Sequence, residues 1–292
     1  MSYKVCVIGH ITRDYVRIGD RSWTAPGGTA YYLSIALHSL GVEPIVITKL
    51  KKEDRCLLSD LEERGIEVIA EYTKYTTTFE NVYIDGKRLQ RVISTSSPFT
   101  AKDIDGIDAD LFYLGSLTRN DLEEDLLSRL RNRFTAIDAQ GMLRRVNGGR
   151  INLERMENPD KLSCVDIIKL NERESIALAR KTDLIGAIRA IKVFGPEEIV
   201  ITLGENGSVI HANGKTYRIP PFKTKVVDPT GCGDTYMAGY IYKRLRTKDY
   251  NKIGIFSSAV ASIKLSKRGP FTGSERDVES FINSSGKGRK AW

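Results

Sequence analysis

With 292 residues, 41% of them hydrophobic and 28% charged, the chain has the make-up of a globular protein that buries its core without disulfide or metal staples. Four cysteines without a CxxC pair, no apolar run of the roughly 18 residues a membrane span needs, and an opening MSYKVCVIGH too soon polar for a signal peptide predict a reduced, cytoplasmic protein with no membrane partner. The formal net charge of +8 comes from scattered Lys and Arg, which disfavours a nucleic-acid partner and suits small phosphorylated anions; the one cluster, the terminal GKGRKAW, reads as a frayed end.

In chain order, KVCVIGH (4–10) reads as a buried strand, and residues 13–24 as polar and irregular. PGGTAYYLSIALHSLG (26–41) places Pro-Gly-Gly before a helix that closes on Gly41. PIVITKL (44–50) is a second buried strand and DRCLLSDLEERG (54–65) an amphipathic helix. This βαβα order favours a parallel sheet with helices on its faces. Residues 67–96 are rich in Thr, Tyr and Val with a turn at Asp85-Gly86, and predict antiparallel strands in a small projecting sheet of the kind that covers a site as a lid. Strands follow at 110–116, 134–140, 166–171, 197–204 and 223–228, with helices at 121–132, 172–180, 183–194, 232–246 and 250–267. Residues 207–220 read as a hairpin turning at Asn213-Gly214. With no repeat and no linker, the expectation is one α/β domain over residues 1–292.

Four motifs stand where predicted strands end. In VVDPTGCGDTYMAGY (226–240), glycines open a helix whose free N–H groups and dipole attract phosphate. Asp234 in that first turn is either ordinary capping or a general base set beside an anion hole. The pattern is neither a Walker A loop nor a Rossmann GxGxxG. Gly27-Gly28 precede another helix, and Asp14, on the loop after the first strand, is either a solvated loop residue or an acceptor for paired hydroxyls. KLNERE (169–174) holds Asn171 and Glu174, which read as a helix cap or as a group positioning hydrated Mg²⁺. ITLGENG (201–207) offers Thr202, Gly204 and Gly207 as a tight turn or a backbone platform for a nucleotide. Ends of parallel strands would gather these motifs on one sheet edge.

DPTGCGDTYMAG resembles the C-terminal signature of the PfkB/ribokinase carbohydrate kinases, whose core is written DTxGAGD, and PGGTAYYLSIALHSLG resembles their double-glycine signature. KLNERE is similar to their NxxE motif, ITLGENG to their TLGxxG element, and SSAVASIKLSKRGP (257–270) to their adenine-pocket helix; the match covers nearly the whole chain. The resemblance implies a ribokinase-like three-layer α/β fold with a mainly parallel central sheet and a small β-sheet lid, its strands roughly within 11–25 and 67–99. It implies transfer of the ATP γ-phosphoryl group to a sugar or polyol hydroxyl. Asp234 would be the catalytic base and Gly231, Cys232 and Gly233 the anion hole. Asn171 and Glu174 would organise Mg²⁺, the latter through water. Thr202, Gly204, Gly207, Ser258 and Ala259 would line the nucleotide site, and Asp14, Gly27 and Gly28 would hold the acceptor. Asp228 and Thr230 match positions near a monovalent-cation site, so K⁺ joins Mg²⁺ and ATP as an expected cofactor. Cys232 replaces the family's alanine. Tyr32 stands where ribokinase-like members carry a sugar-contacting asparagine. With DAQGMLR (138–144) in place of a DPN-type stretch, Tyr32 points to the myo-inositol kinase branch, Gln140 and Arg144 contacting acceptor or phosphate. The alternatives are a nucleoside kinase, which needs an apolar base pocket, and a non-catalytic nucleotide- or sugar-binding regulator. Lid sheets in the family also pair into homodimers.

Overall fold

The computed structural model describes residues 2–84 and 87–286. The predicted turn at Asp85-Gly86 and residues 287–292 of the basic tail lie outside them. The chain runs β1 (Lys4–Ile8), β2 (Thr12–Ile18), β3 (Arg21–Gly27), α1 (Thr29–Ser39), β4 (Glu43–Leu50), α2 (Ser59–Glu63), β5 (Glu67–Tyr72), β6 (Thr78–Ile84), β7 (Lys87–Ser94) and β8 (Leu111–Leu114). It continues α3 (Glu124–Arg129), β9 (Thr135–Asp138), α4 (Gln140–Leu143), β10 (Arg144–Asn147), β11 (Arg150–Leu153), β12 (Ile167–Asn171), α5 (Glu172–Ala179) and α6 (Leu184–Val193). Then follow β13 (Glu198–Thr202), β14 (Ser208–Ala212), β15 (Lys215–Ile219), α7 (Cys232–Arg244), α8 (Tyr250–Leu265) and α9 (Glu275–Ser284).

Among the described residues, nine strands form the main sheet in the order β15-β14-β13-β12-β9-β8-β1-β4-β5. From β13 to β5 all neighbours are parallel, and the β14–β15 hairpin adds an antiparallel edge. Strand alternation sorts side chains to two faces. Val5 and Val7 of β1 join one apolar cluster with α1, α7 and α8; Cys6 and Ile8 join another with α3, α5 and α6. The result is a helix–sheet–helix sandwich, the expected ribokinase-like α/β fold. No helix among the described residues is long and apolar enough to cross a membrane.

A second, six-stranded sheet has the order β10-β11-β7-β6-β2-β3. It changes three sequence expectations. Residues 13–24 are not irregular: they are the β2–β3 hairpin, as the lid strands implied within 11–25 require, and of their polar side chains Asp14 lines the cavity while Arg17, Asp20, Arg21, Ser22 and Thr24 are exposed. Residues 67–72 are not part of an antiparallel block, because β5 pairs parallel with β4 at the edge of the main sheet. The unanticipated hairpin β10–β11 completes the small sheet, with Val146 and Ile151 packed against Phe79, Val92 and Leu117. Residues 223–228 are not a strand either. Val226 and Val227 are exposed, and the Val227 and Asp228 N–H groups donate to Leu265 O at 2.9 and 3.2 Å, so a helix end takes the bonds a strand would use. Helix α9, capped by Ser274, is also new.

Candidate active site

Helix starts divide into two kinds. α5, α6, α8 and α9 are capped by the side chains of Asn171, Asp183, Asp249 and Ser274. Five helices, α1, α2, α3, α4 and α7, lack a side-chain cap, and of these α1 and α7 begin on glycine. Both glycine ends open on one cavity of about 430 Å³ between the two sheets, so their free N–H groups are available to a ligand. Gly231 at the start of α7 has φ +73°, and a methyl group there would lie 2.3 Å from the Tyr32 ring. Gly28 has φ +91°, with His10 O at 2.3 Å from such a methyl. Only glycine permits either turn. Cys232 N already donates to Pro229 O at 3.3 Å, which leaves the donors after it as the free ones. Burial pushes the Cys232 thiol up to about 11, so it stays protonated.

The cavity gathers Asp14, Gly28, Tyr32, Gln140, Arg144, Asn171, Thr202, Thr230, Gly231, Cys232, Gly233 and Asp234. Asp234 lies in the first turn of α7. Burial, and to a lesser degree the Asp138 charge, raise its carboxyl to about 6, while Lys169, a Thr29 hydrogen bond and Arg144 pull the other way. Asp14 projects from β2. It accepts from Thr12 Oγ1 at 2.7 Å and Asn81 Nδ2 at 3.1 Å, and Gln90 Nε2 in turn donates to Asn81 Oδ1 at 2.9 Å. Burial raises the Asp14 carboxyl. Thus a carboxylate on the small sheet and one on the main body enter the same space.

Several expected residues sit elsewhere. Glu174 is buried. It accepts from Asn171 N at 2.7 Å, while its own N–H donates to Asn171 Oδ1 at 2.9 Å, so the capping-box reading of KLNERE is realised. Gly27 lies against Asp14, and Asp228 lies below the turn. Gly204, Gly207, Ser258 and Ala259 are not among the cavity's lining residues; Ala259 is fully buried in α8 and Ser258 Oγ donates to Pro220 O at 3.3 Å. That is a correction to the nucleotide-site expectation for Ala259, which exposes no surface.

The sequence reading missed Lys169, Asp138, Arg88, Gln90, Asn81 and Tyr83. Lys169 Nζ bonds Asp138 Oδ2 at 2.7 Å with both side chains buried. Burial alone would lower the lysine, but Asp138, Glu174 and Asp234 together raise it, so it is a fixed cation beside Gly233. Arg144 is held below its ordinary value by burial and lines the cavity; its carbonyl accepts from Arg119 N at 3.0 Å, while its guanidinium has no hydrogen-bond or ion-pair partner among the described residues. A lysine inside the apolar run DIIKLN was a visible signal, since such a residue is seldom buried without a partner. Among the described residues no group of three or more His, Cys, Asp and Glu builds a metal cage; the residues fit a Mg²⁺ ion brought in by phosphates with its waters. A second cavity of about 510 Å³ shares Asp14, Tyr32 and Tyr83 with the first and has apolar walls from Val16, Ile18, Trp23 and Val226.

The arrangement of an anion-binding helix start, a near-neutral carboxylate and an opposing hydroxyl-binding carboxylate suits phosphoryl transfer to an alcohol. Residues 2–277 match the model of the pfkB family of carbohydrate kinases. An uncharacterized sugar kinase of Archaeoglobus fulgidus is 27% identical over 84% of this chain and all of its own length. A cytidine kinase of Thermococcus kodakarensis is 26% identical over 80% of this chain and 86% of its own. A solved pyrophosphate-dependent kinase in the ribokinase family, complexed with a pyrophosphate analog and myo-inositol, is 29% identical with a TM-score of 0.86, covering 94% of this chain and 99% of its own. The chain belongs to the pfkB family of carbohydrate kinases, phosphotransferases that take an alcohol group as acceptor.

Proposed function

We propose that the protein transfers the γ-phosphoryl group of ATP to a hydroxyl of a cyclic polyol of the myo-inositol kind. The observation that carries this reading is the pair Asp14 and Asp234, which enter one cavity from opposite sheets, with Asp234 at the free N-terminus of α7. Asp14 accepts hydrogen bonds from acceptor hydroxyls and fixes which one faces Asp234. Asp234 takes that hydroxyl's proton as the oxygen attacks phosphorus. The N–H groups of Gly233 and its neighbours, with Lys169 and Arg144, face the developing charge. When bound, Mg²⁺ would neutralise charge on the donor phosphates; Asn171 lines the cavity, and Glu174 would act only by fixing Asn171 through the cap they share. The small sheet acts as a lid that excludes water.

A second acceptor class, nucleosides, is favoured by the apolar chamber beside Asp14, which has the walls a base requires. Ile84, Leu89 and Ile93 stand exposed on the outer face of the small sheet, and a homodimer through that face is the assembly we propose. The test is product formation from a panel of myo-inositol, ribose, fructose, adenosine and cytidine, each with Mg-ATP and with Mg-pyrophosphate as donor. Turnover on myo-inositol that Asp234→Ala abolishes supports the proposal. Turnover confined to nucleosides moves the acceptor to the second class, and turnover confined to pyrophosphate replaces the donor. Bound ATP without turnover on any acceptor supports a regulator.

A further inference from the structure

The resemblance implies a monovalent cation near Asp228 and Thr230, and the atoms found there do not fit one. Lys264, in the last turn of α8, is fully buried, and its Nζ donates to Asp228 O at 2.7 Å and lies 3.2 Å from Asp228 Oδ2. The carboxylate's other contacts are taken as well. Thr230 N donates to Oδ1 at 2.9 Å and Gly269 N to Oδ2 at 3.3 Å. The Nζ also faces the Tyr32 ring, 5.8 Å from its centroid, and this is the ring on which Gly231 rests. Two oxygens of Asp228 that a potassium ion could use are therefore already held by an ammonium that belongs to the chain.

An ammonium and a potassium ion carry the same single charge and both prefer oxygen neighbours. A buried lysine without a partner is strongly disfavoured, so Lys264 needs Asp228 as much as the turn needs a cation. A free potassium ion placed here would set two positive charges against one carboxylate. Burial would raise the Asp228 carboxyl, but the Thr230 N–H and Lys264 hold it below its ordinary value, so it stays charged. The last turn of a helix, where carbonyls point outward, also favours a cation.

We infer that Lys264 is a tethered substitute for the monovalent cation under the 228–231 turn, which makes this protein independent of potassium. It is a positioning residue: it acts on the phosphate-binding N–H groups through Asp228 and Gly231. The inference rests on the kinase reading only for what the turn does, and the first readout needs no turnover.

Thermal unfolding of the wild type and of Lys264→Ala is followed in potassium chloride and in choline chloride, each at about 0.1 M so that ionic screening is equal. The wild type is expected to unfold at the same temperature in both salts. Lys264→Ala is expected to unfold lower in choline chloride and to recover specifically in potassium, rubidium or ammonium, because only the folded state binds the ion. Where a working acceptor is in hand, kcat of the variant falls more than about tenfold without potassium and is restored by it, while the wild type changes less than about twofold. A potassium-specific stabilisation or activation of the wild type overturns the inference, and this arm holds even if the variant does not fold. A folded variant that is weakened equally in every salt also overturns it, since a purely structural lysine behaves that way.

Discussion

Asp234→Asn separates two consequences of one carboxylate. In the folded protein its carboxyl is raised from 3.8 to about 6, chiefly by burial. Each tenfold change in proton affinity is worth about 1.4 kcal/mol, so the full gap corresponds to about 3 kcal/mol; water in the cavity trims this toward about 2 kcal/mol. The sign follows from where the proton binds more tightly. Between about pH 4 and pH 6 the folded state holds a proton that the unfolded state has released, so this stability is complete below about 4 and lost as pH rises through about 6. An amide of the same shape carries no charge at any pH and keeps the Thr29 hydroxyl as a donor to its oxygen. Asp234→Asn should therefore exceed the wild type by no more than about 1 kcal/mol near pH 4.5 and by about 2–3 kcal/mol at pH 8, or roughly 5 °C in Tm for a chain of this size. The same variant should lose about 10²–10⁴ in kcat, the range for a general base. Thermal melts across pH 4.5–8.5 decide the matter. An equal Tm difference at both ends of the range, or a less stable variant at pH 8, refutes the assignment of a buried, charged base.

The same carboxyl should give kcat/KM an acid limb, falling about tenfold per pH unit below about 6; a flat profile down to pH 5 would remove Asp234 as base. Asp14→Ala should raise the acceptor KM about 10–100-fold, from lost hydrogen bonds to a charged group, with the donor KM nearly unchanged. Gly231→Ala drives a methyl into the Tyr32 ring at φ +73°, and chemical denaturation should show a loss of at least about 1–3 kcal/mol together with lower kcat. Lys169→Met leaves Asp138 buried without its cation, and the same measurement should show about 3–5 kcal/mol lost.

The main sheet was legible because its strands are apolar on both faces. Runs such as KVCVI and PIVITKL have only one way to be buried, and Gly9 after the first and the charged KKED after the second mark where the strands end. The small sheet was legible only in part. The Thr-, Tyr- and Val-rich block announced β6 and β7, and β2–β3 came only from the family resemblance, because most of their polar side chains are exposed. β10–β11 was missed, since Val146 and Ile151, both partly buried, are its only apolar anchors in the small sheet. The run KTKVV looked like a strand because β-branched residues favour one, yet its N–H groups serve the end of α8. Asp14, Asp234 and the turn glycines were visible as motifs. Lys169, Asp138 and Asn81 owe their place to pairing across strands distant in sequence, which spacing cannot report.

The small sheet is assembled from three separate stretches of chain, β2–β3, β6–β7 and β10–β11, each leaving the main sheet and coming back to it. A flap hung on one hinge can peel away from its rim; a plate held by two passages of chain for each of three stretches cannot. The motion such an attachment leaves open would be a rocking of the whole plate over the body, which it touches where Tyr83 Oη lies 3.4 Å from Thr230 Oγ1. Because Asp14 sits on the plate and Asp234 on the body, a rocking stroke would change the distance between them, and on the proposed reading it would carry an acceptor held by Asp14 toward its base.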